Sequence, residues 1–230
     1  VSELVLLKNS QPGETISFEE YRRDGGYEAL ARVLREWSPT ELRQVIIDSG
    51  LCGRGGAGFP TGRKWDGIRE DAPFPRYILA NGDEMEPGTF KDRFLIQTNP
   101  HTVIEGIILA GYAVSAQKGI EFIRPSYETQ ARVMEQAVKE ARQTGYLGKN
   151  ILGSGFDFDI EVHRSGGRYI CGEASAQVTA IQGMRPHPDK TFHMVQHGLW
   201  GQPTIVNNVE TLAFVPHIVR KGAAWFKSLS

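Results

Sequence analysis

The sequence predicts an α/β fold with a mainly parallel sheet flanked by helices. Three observations carry that expectation. A compact apolar run at Tyr77–Asn81 has the length of a buried strand, Glu121–Arg124 reads as another short strand before Pro125, and Phe158–His163 alternates as a strand does. Helical patterns separate them, at 103–116 and 126–144. Strands that alternate with helices favour parallel pairing, since each parallel connection must cross back over the sheet.

Taken in order, the segment up to Glu14 lacks periodicity. Ser17 and Glu20 suggest a short capped helix that Gly25-Gly26 ends, and Tyr27, Leu30, Val33 and Leu34 give helical spacing as far as Trp37. Ser38 and Glu41 form a capping box with Pro39 at the first helical position, and Gly50 is a natural stop. A glycine-rich segment, 50–64, follows before the Tyr77 strand. From 126 to 144, Ala131, Met134, Ala137, Val138 and Ala141 fall on one face of an amphipathic helix that Gly145 closes. Glycines 166 and 167 precede a helix expected from near Glu173 to Gly183. Pro186, Pro188 and Pro203 mark a long loop, and 204–217 returns to structure and opens a last helix. No internal repeat or low-complexity stretch is present.

Composition narrows the function. The 230 residues are 40% hydrophobic and 23% charged with a formal net charge of −1, ordinary values that argue against nucleic acid or an anionic membrane as partner. The most apolar run, 103–116, is broken by Glu105 and two glycines and is too short to span a bilayer. Neither Cys52 nor Cys171 lies in a metal-ligand spacing, so the cytosol is the expected compartment, and each is read as a small buried residue. The chain begins with Val and stops soon after a helical pattern, which suggests a piece of something longer.

Residues 50–64 are the most informative. Five glycines follow Gly50 there, interleaved with Arg54, Arg63 and Lys64. Glycine lets backbone N–H groups converge on a ligand, and convergent N–H groups beside cations suit a phosphate. Gly53, Gly55 and Gly58 also satisfy G-x-G-x-x-G, but a helix rather than a strand leads into them, which disfavours an ordinary dinucleotide turn. The alternative is a structural turn.

Three further clusters stand out. Asn81-Gly-Asp-Glu-Met-Glu-Pro-Gly88 ends a strand, where α/β sheets place ligands, and its acids could accept hydrogen bonds from sugar-like hydroxyls. A solvated acidic turn is the plainer reading. Gly166–Ala176 brings glycine, Glu173 and a helix start together, and Pro203–Thr211 offers Asn207, Asn208 and Thr211 at another; turn geometry and helix capping would explain these equally. The histidines at 187, 193 and 197 fit no zinc spacing, and no G-x-S-x-G, H-E-x-x-H or P-loop occurs. Glycine loop, acids and amides suit a cofactor whose own ring does the chemistry.

These stretches resemble a known family. Gly53–Gly62 with Lys64-Trp65, Asn81–Thr89, Lys91-Asp-Arg93, Gly148-Lys-Asn150, Gly155-Phe-Asp157, Gly167–Glu173 and Pro203–Leu212 look like the NADH-binding flavoprotein subunit of respiratory complex I. The related diaphorase subunits of NAD-linked hydrogenases and formate dehydrogenases share the pattern. The resemblance runs from about residue 45 to the end. It implies a Rossmann-like FMN-binding domain over 45–230, preceded by an N-terminal helical segment, 1–44. Hydride would pass between NAD(H) or NADP(H) and FMN, and electrons would leave singly to iron–sulfur subunits of a larger complex. A cytoplasmic site, on the peripheral arm of a membrane-associated complex, is implied as well. A flavin-free structural or regulatory subunit is the alternative.

By the same resemblance, Gly53, Arg54, Gly55, Gly56, Lys64, Asn81, Asp83, Gly172, Glu173, Val206, Asn207, Asn208 and Thr211 would hold FMN. Phe59, Glu86, Tyr169, Ala174, Lys190 and Phe192 would border the nicotinamide nucleotide, with Glu86 as the candidate catalytic residue and no metal site. Departures sharpen these expectations. Ala174 stands where the family commonly has a second acid near the adenosine ribose, which predicts weaker discrimination against NADP(H). Gly67 stands where an aromatic residue often stacks, and Cys52 replaces a usual arginine. The prolines usually found before Phe192 are missing, and the family's ubiquitin-like and four-cysteine cluster domains are expected to be absent, so the cluster would lie on another chain.

Overall fold

A computed structural model describes residues 4–191 and 193–229. Four helices precede the sheet: α1 (Phe18–Arg23), α2 (Glu28–Glu36), α3 (Pro39–Ser49) and α4 (Thr61–Asp66). Both expected caps are formed, with Ser17 and Ser38 each accepting from the amide three residues on while Glu20 and Glu41 reach back to the cap backbone. Gly50 closes α3 at φ 70°, the left-handed conformation that glycine adopts without strain.

Strand β1 (Tyr77–Gly82) leads through a loop into α5 (Lys91–Thr98) and α6 (Pro100–Ala113). Then come β2 (Lys118–Ile123), α7 (Glu128–Gln143), β3 (Asp159–Arg164), α8 (Ala174–Ile181), β4 (Thr204–Asn208), α9 (Val209–Lys221) and α10 (Ala223–Lys227). The sheet order is β3-β2-β1-β4 and every pairing is parallel. Two helices leave little mark on the sequence pattern. α4 is only six residues long, and α5 takes its cap from a side chain outside the helix. β2 begins three residues before the expected run, because Lys118 and Gly119 belong to the ladder although neither is apolar. The helix expected over 103–116 starts earlier, at Pro100, with Asn99 as its cap.

The two faces of the sheet differ. Ile78, Ala80, Ile123 and Ile205 point into one large core that also takes in α1, α2, α6, α7 and α9. Tyr77, Leu79, Ile120 and Val206 point the other way, onto Val178 of α8 and Leu199. Because β2 and β4 lie on opposite sides of β1, the crossover direction reverses at the β1–β4 pair. Ligands in open parallel sheets bind outside the strand ends at such a point. Asn81 and Asn208 are register partners there.

Candidate functional site

The loop after β1 is shaped by its own acids. Glu84 accepts from the amides of Asp92 and Arg93 at 3.2 Å each and from the Tyr127 hydroxyl at 3.1 Å, so it caps α5 from eight residues away. A carboxylate at a helix N-terminus satisfies amides that have no intrahelical partner. Asp83 accepts from the Ser165 hydroxyl at 2.8 Å. Burial pushes its carboxyl above the usual aspartate range, against the pull of Ser165 and Arg124. Asp83 and Glu84 are both buried, so the solvated acidic turn applies only to the far end of this loop. At that end Glu86 accepts a hydrogen bond from the exposed Tyr169 hydroxyl.

The glycine segment is a loop on a narrow neck. The Gly53 amide donates to the Phe59 carbonyl at 2.9 Å, and the Thr61 amide donates to the Leu51 carbonyl at 2.8 Å. Residues 54–58 are exposed, with Gly56 at φ 114°, a conformation that strains any side chain. The Arg54 amide donates to Thr211 Oγ1 at 2.8 Å, which ties the loop to α9. Lys64, on α4, donates to the Val206 carbonyl at 2.8 Å with its ammonium 5.9 Å from the centre of the Phe59 ring. Burial pushes that ammonium below the usual lysine value.

The remaining motifs close the wall. Asn81 Nδ2 donates to the Gly172 carbonyl at 2.9 Å. Glu173 is the cap of α8 and accepts from the Ala176 amide at 2.9 Å. Partial burial pushes its carboxyl up, but the donors from Ser175 and the first α8 amides outweigh this and hold it below the usual glutamate value. Asn207 accepts from Trp65 Nε1 at 2.8 Å, while Asn208 caps α9 and donates to Asp92 Oδ2 at 2.7 Å. Lys91 donates to Asp92 Oδ1 at 2.7 Å and to Asn208 Oδ1 at 3.1 Å.

Together these loops enclose a cleft of about 440 Å³ at the β1–β4 strand ends. Arg54, Gly55 and Gly56 line one side, and Asn81, Asp83 and Asn208 line the floor. Glu86, Tyr169, Gly172 and Glu173 complete it. Gly53, Lys64, Val206, Asn207 and Thr211 are not among the residues that line this cleft; of them, Thr211 is tied to it by accepting from the Arg54 amide. Phe59 is exposed at the end of the glycine loop, Ala174 opens α8, and Lys190 is exposed in the loop after it. Phe192 lies outside the described residues. Sequence reasoning assigns no role to Thr89, Lys91, Asp92 and Ile170, which also line the cleft. The Lys91-Asp-Arg93 motif is the signal by which two of them could have been found.

One expectation is corrected. Cys171 is buried, but Cys52 is exposed, because it sits in the neck of a loop that stands off the core. Among the described residues no group of three or more His, Cys, Asp or Glu side chains is placed to hold a metal ion.

Among the buried polar atoms with no hydrogen-bond partner within the protein is Asp83 Oδ2, in the cleft floor; Asn207 Nδ2, on the strand that ends at the cleft, is another. Buried polar groups are nearly always paired, so an unpaired acceptor in a cleft floor suits a ligand with hydroxyl groups. A parallel sheet with such a cleft at its switch point, fenced by a glycine loop, defines a domain that binds a nucleotide-like cofactor. Residues 46–217 match the family described as the Nuo51 FMN-binding domain, and the chain belongs to it.

Its relatives agree. It is 46% identical over 228 residues to a NADH-quinone oxidoreductase subunit of Rhizobium meliloti, covering 99% of this chain and 54% of the relative. Against the corresponding NADH-quinone oxidoreductase subunit of Aquifex aeolicus it is 49% identical over 219 residues, 95% of this chain and 51% of the relative. A solved NAD+-reducing [NiFe]-hydrogenase in the H2-reduced state superposes with a TM-score of 0.80 at 34% identity, covering 97% of this chain and 36% of that one. The chain thus spans about half the length of the curated relatives it matches.

Proposed function

We propose that this chain binds FMN in the cleft and passes reducing equivalents between a nicotinamide nucleotide and that flavin, as one module of a larger redox complex. The observation that carries this is the convergence of three motif loops on one cleft, with an unpaired buried acceptor, Asp83 Oδ2, in its floor. When bound, FMN supplies the capacity to accept a hydride and release its electrons one at a time. The chain's own residues do the rest.

Asp83 and Asn81 would accept from ribityl hydroxyls, and Asn207 Nδ2 and Lys64 would donate to ring carbonyls. Arg54 and Lys91 are the cations available to the phosphate. Lys64 is already partly desolvated and anchored to the Val206 carbonyl, so ordering it costs little further entropy. Glu86 and Tyr169 stand at the mouth of the cleft, where a nicotinamide nucleotide would enter, and their mutual hydrogen bond would have to give way to it. Ala174, Lys190 and Phe59 would border that nucleotide. With alanine at 174, no carboxylate at that position repels a 2′-phosphate, so NADPH would be accepted more readily than by a chain with an acid there.

Iron–sulfur subunits would be the electron acceptors, and the relatives are named as subunits of oxidoreductases. No helix among the described residues is long and apolar enough to cross a membrane. A cytoplasmic place on the peripheral arm of such a complex fits both. The test is an absorbance spectrum after incubation with FMN and gel filtration. Flavin bands should co-elute with the protein and bleach anaerobically on adding NADH. A protein that stays colourless would instead favour a flavin-free structural subunit.

A further inference from the structure

Glu121 lies in the middle of β2, flanked in register by Ala80 of β1 and Val162 of β3. It is fully buried, and neither carboxyl oxygen has a hydrogen-bond partner. Oε1 sits 2.8 Å from where a Cβ on residue 82 would be, and room for it exists only because that residue is glycine. The carboxyl is thus pressed against the backbone that leads from β1 into the cleft floor. The helices over this face bring apolar atoms, Ile96 of α5 beside Gly82 and Ile107 of α6 beside Gly119. Burial, and then the charge of Asp92 on α5, push the Glu121 carboxyl well above the glutamate range.

A buried carboxylate with no donor is far costlier than the neutral acid. Asp92 is nearly as buried, but it has donors in Lys91 and Asn208 at 2.7 Å each. Burial and Glu84 outweigh the pull of Lys91 and Asn208, so the Asp92 carboxyl is also raised, whereas that of Glu121, with no donors, stands well above its usual range. Two neighbouring buried carboxyls do not both ionise readily, and the one with donors keeps the charge. Both donors to Asp92 line the cleft.

We propose that Glu121 is a positioning residue that holds a proton inside the sheet. By staying neutral it leaves the charge of the pair on Asp92, which fixes Lys91 and Asn208 against the bound flavin. This role rests on the flavin reading of the cleft. If Glu121 lost its proton, two negative charges would face each other inside the protein, and their repulsion would disturb the grip of Asp92 on Lys91 and Asn208.

The test has two arms. Infrared absorption of the flavin-free chain should show the C=O band of a neutral carboxylic acid near neutral pH, and Glu121→Gln should remove one group's share of it. FMN fluorescence titration should show wild-type Kd rising once pH passes the raised Glu121 value, by up to about tenfold per pH unit, the limit that linkage to one proton sets. Glu121→Gln should stay flat over that range. Glu121→Leu, apolar in apolar surroundings, carries the same two expectations should the amide variant fold poorly. A band that the substitution leaves undiminished, or a variant whose Kd follows the wild-type curve, overturns the proposal. A wild type that binds no FMN at any pH, yet loses that share of its band on substitution, sinks the flavin reading and the positioning role while the buried proton stands.

Discussion

Glu105 and Glu121 are both fully buried carboxyl groups, yet their surroundings are opposite. Glu105, on α6, accepts from the Tyr21 hydroxyl and from the amides of Tyr27 and Leu30 at 2.9 and 3.0 Å. Tyr27 is the N-cap of α2 but makes no side-chain cap, so Glu105 caps that helix from across the core. Burial raises its carboxyl, and the three donors oppose the rise. Around it Tyr27 stacks on Tyr146 at 4.0 Å and hydrogen-bonds His101 at 2.9 Å. Glu121 has no donors at all. One carboxyl is a structural rivet that fastens α1 and α2 to the sheet's large core. The other is a destabilising group tolerated beside a ligand cleft. Such local violations of folding rules are expected where function is placed.

The largest effect that would sharpen this contrast is at Glu105. Glu105→Ala would leave the Tyr21 hydroxyl and two amides unpaired in the core, so we expect a loss of about 3–5 kcal/mol in denaturant unfolding. A loss below about 1 kcal/mol would dissolve the distinction between the two sites.

Glu121→Gln should act in the opposite direction, and its sign follows from linkage. The Glu121 carboxyl is raised in the folded state. Below about pH 4.3, near the unfolded value, both states hold the proton and its titration leaves stability unchanged. As pH rises above that value only the folded state retains it, so wild-type stability falls toward the folded value. The variant's Tm minus the wild-type Tm should therefore grow from pH 4 to pH 8. A difference that shrinks over that range would contradict a buried proton.

A smaller effect is expected at the mouth of the cleft. Ala174→Glu should raise the ratio of kcat/KM for NADH over NADPH by about tenfold, since a carboxylate facing a 2′-phosphate is repelled. An unchanged ratio would remove Ala174 from the nucleotide site.

Much of this architecture is legible in the sequence. The capping boxes at Ser17 and Ser38, the β1 strand and the parallel sheet can all be read from local signals. The motif residues at 54–56, 81–86, 169–173 and 208 do converge on one cleft. What cannot be read is non-local. The Glu84 cap on α5 and the Glu105 cap on α2 depend on contacts that only the folded chain makes. Glu121 is invisible in sequence because an inner parallel strand is buried on both faces and shows no alternation against which a misplaced acid would stand out. Cys52 defies the expectation of burial because cysteine's general preference for the interior knows nothing of a loop standing off the core.

The most direct test of where the flavin sits uses Gly55. A Cβ there would approach the Asn208 Cβ at 3.3 Å, and the backbone is not in the left-handed region, so Gly55→Leu should fold and place its side chain in the cleft. Wild type and variant should be mixed with FMN, passed through gel filtration, and their absorbance recorded before and after anaerobic NADH. The wild type should emerge yellow and bleach, while the variant, with unaltered circular dichroism, should emerge colourless. A variant that retains FMN as tightly as the wild type would place the flavin elsewhere and contradict a site at the β1–β4 strand ends.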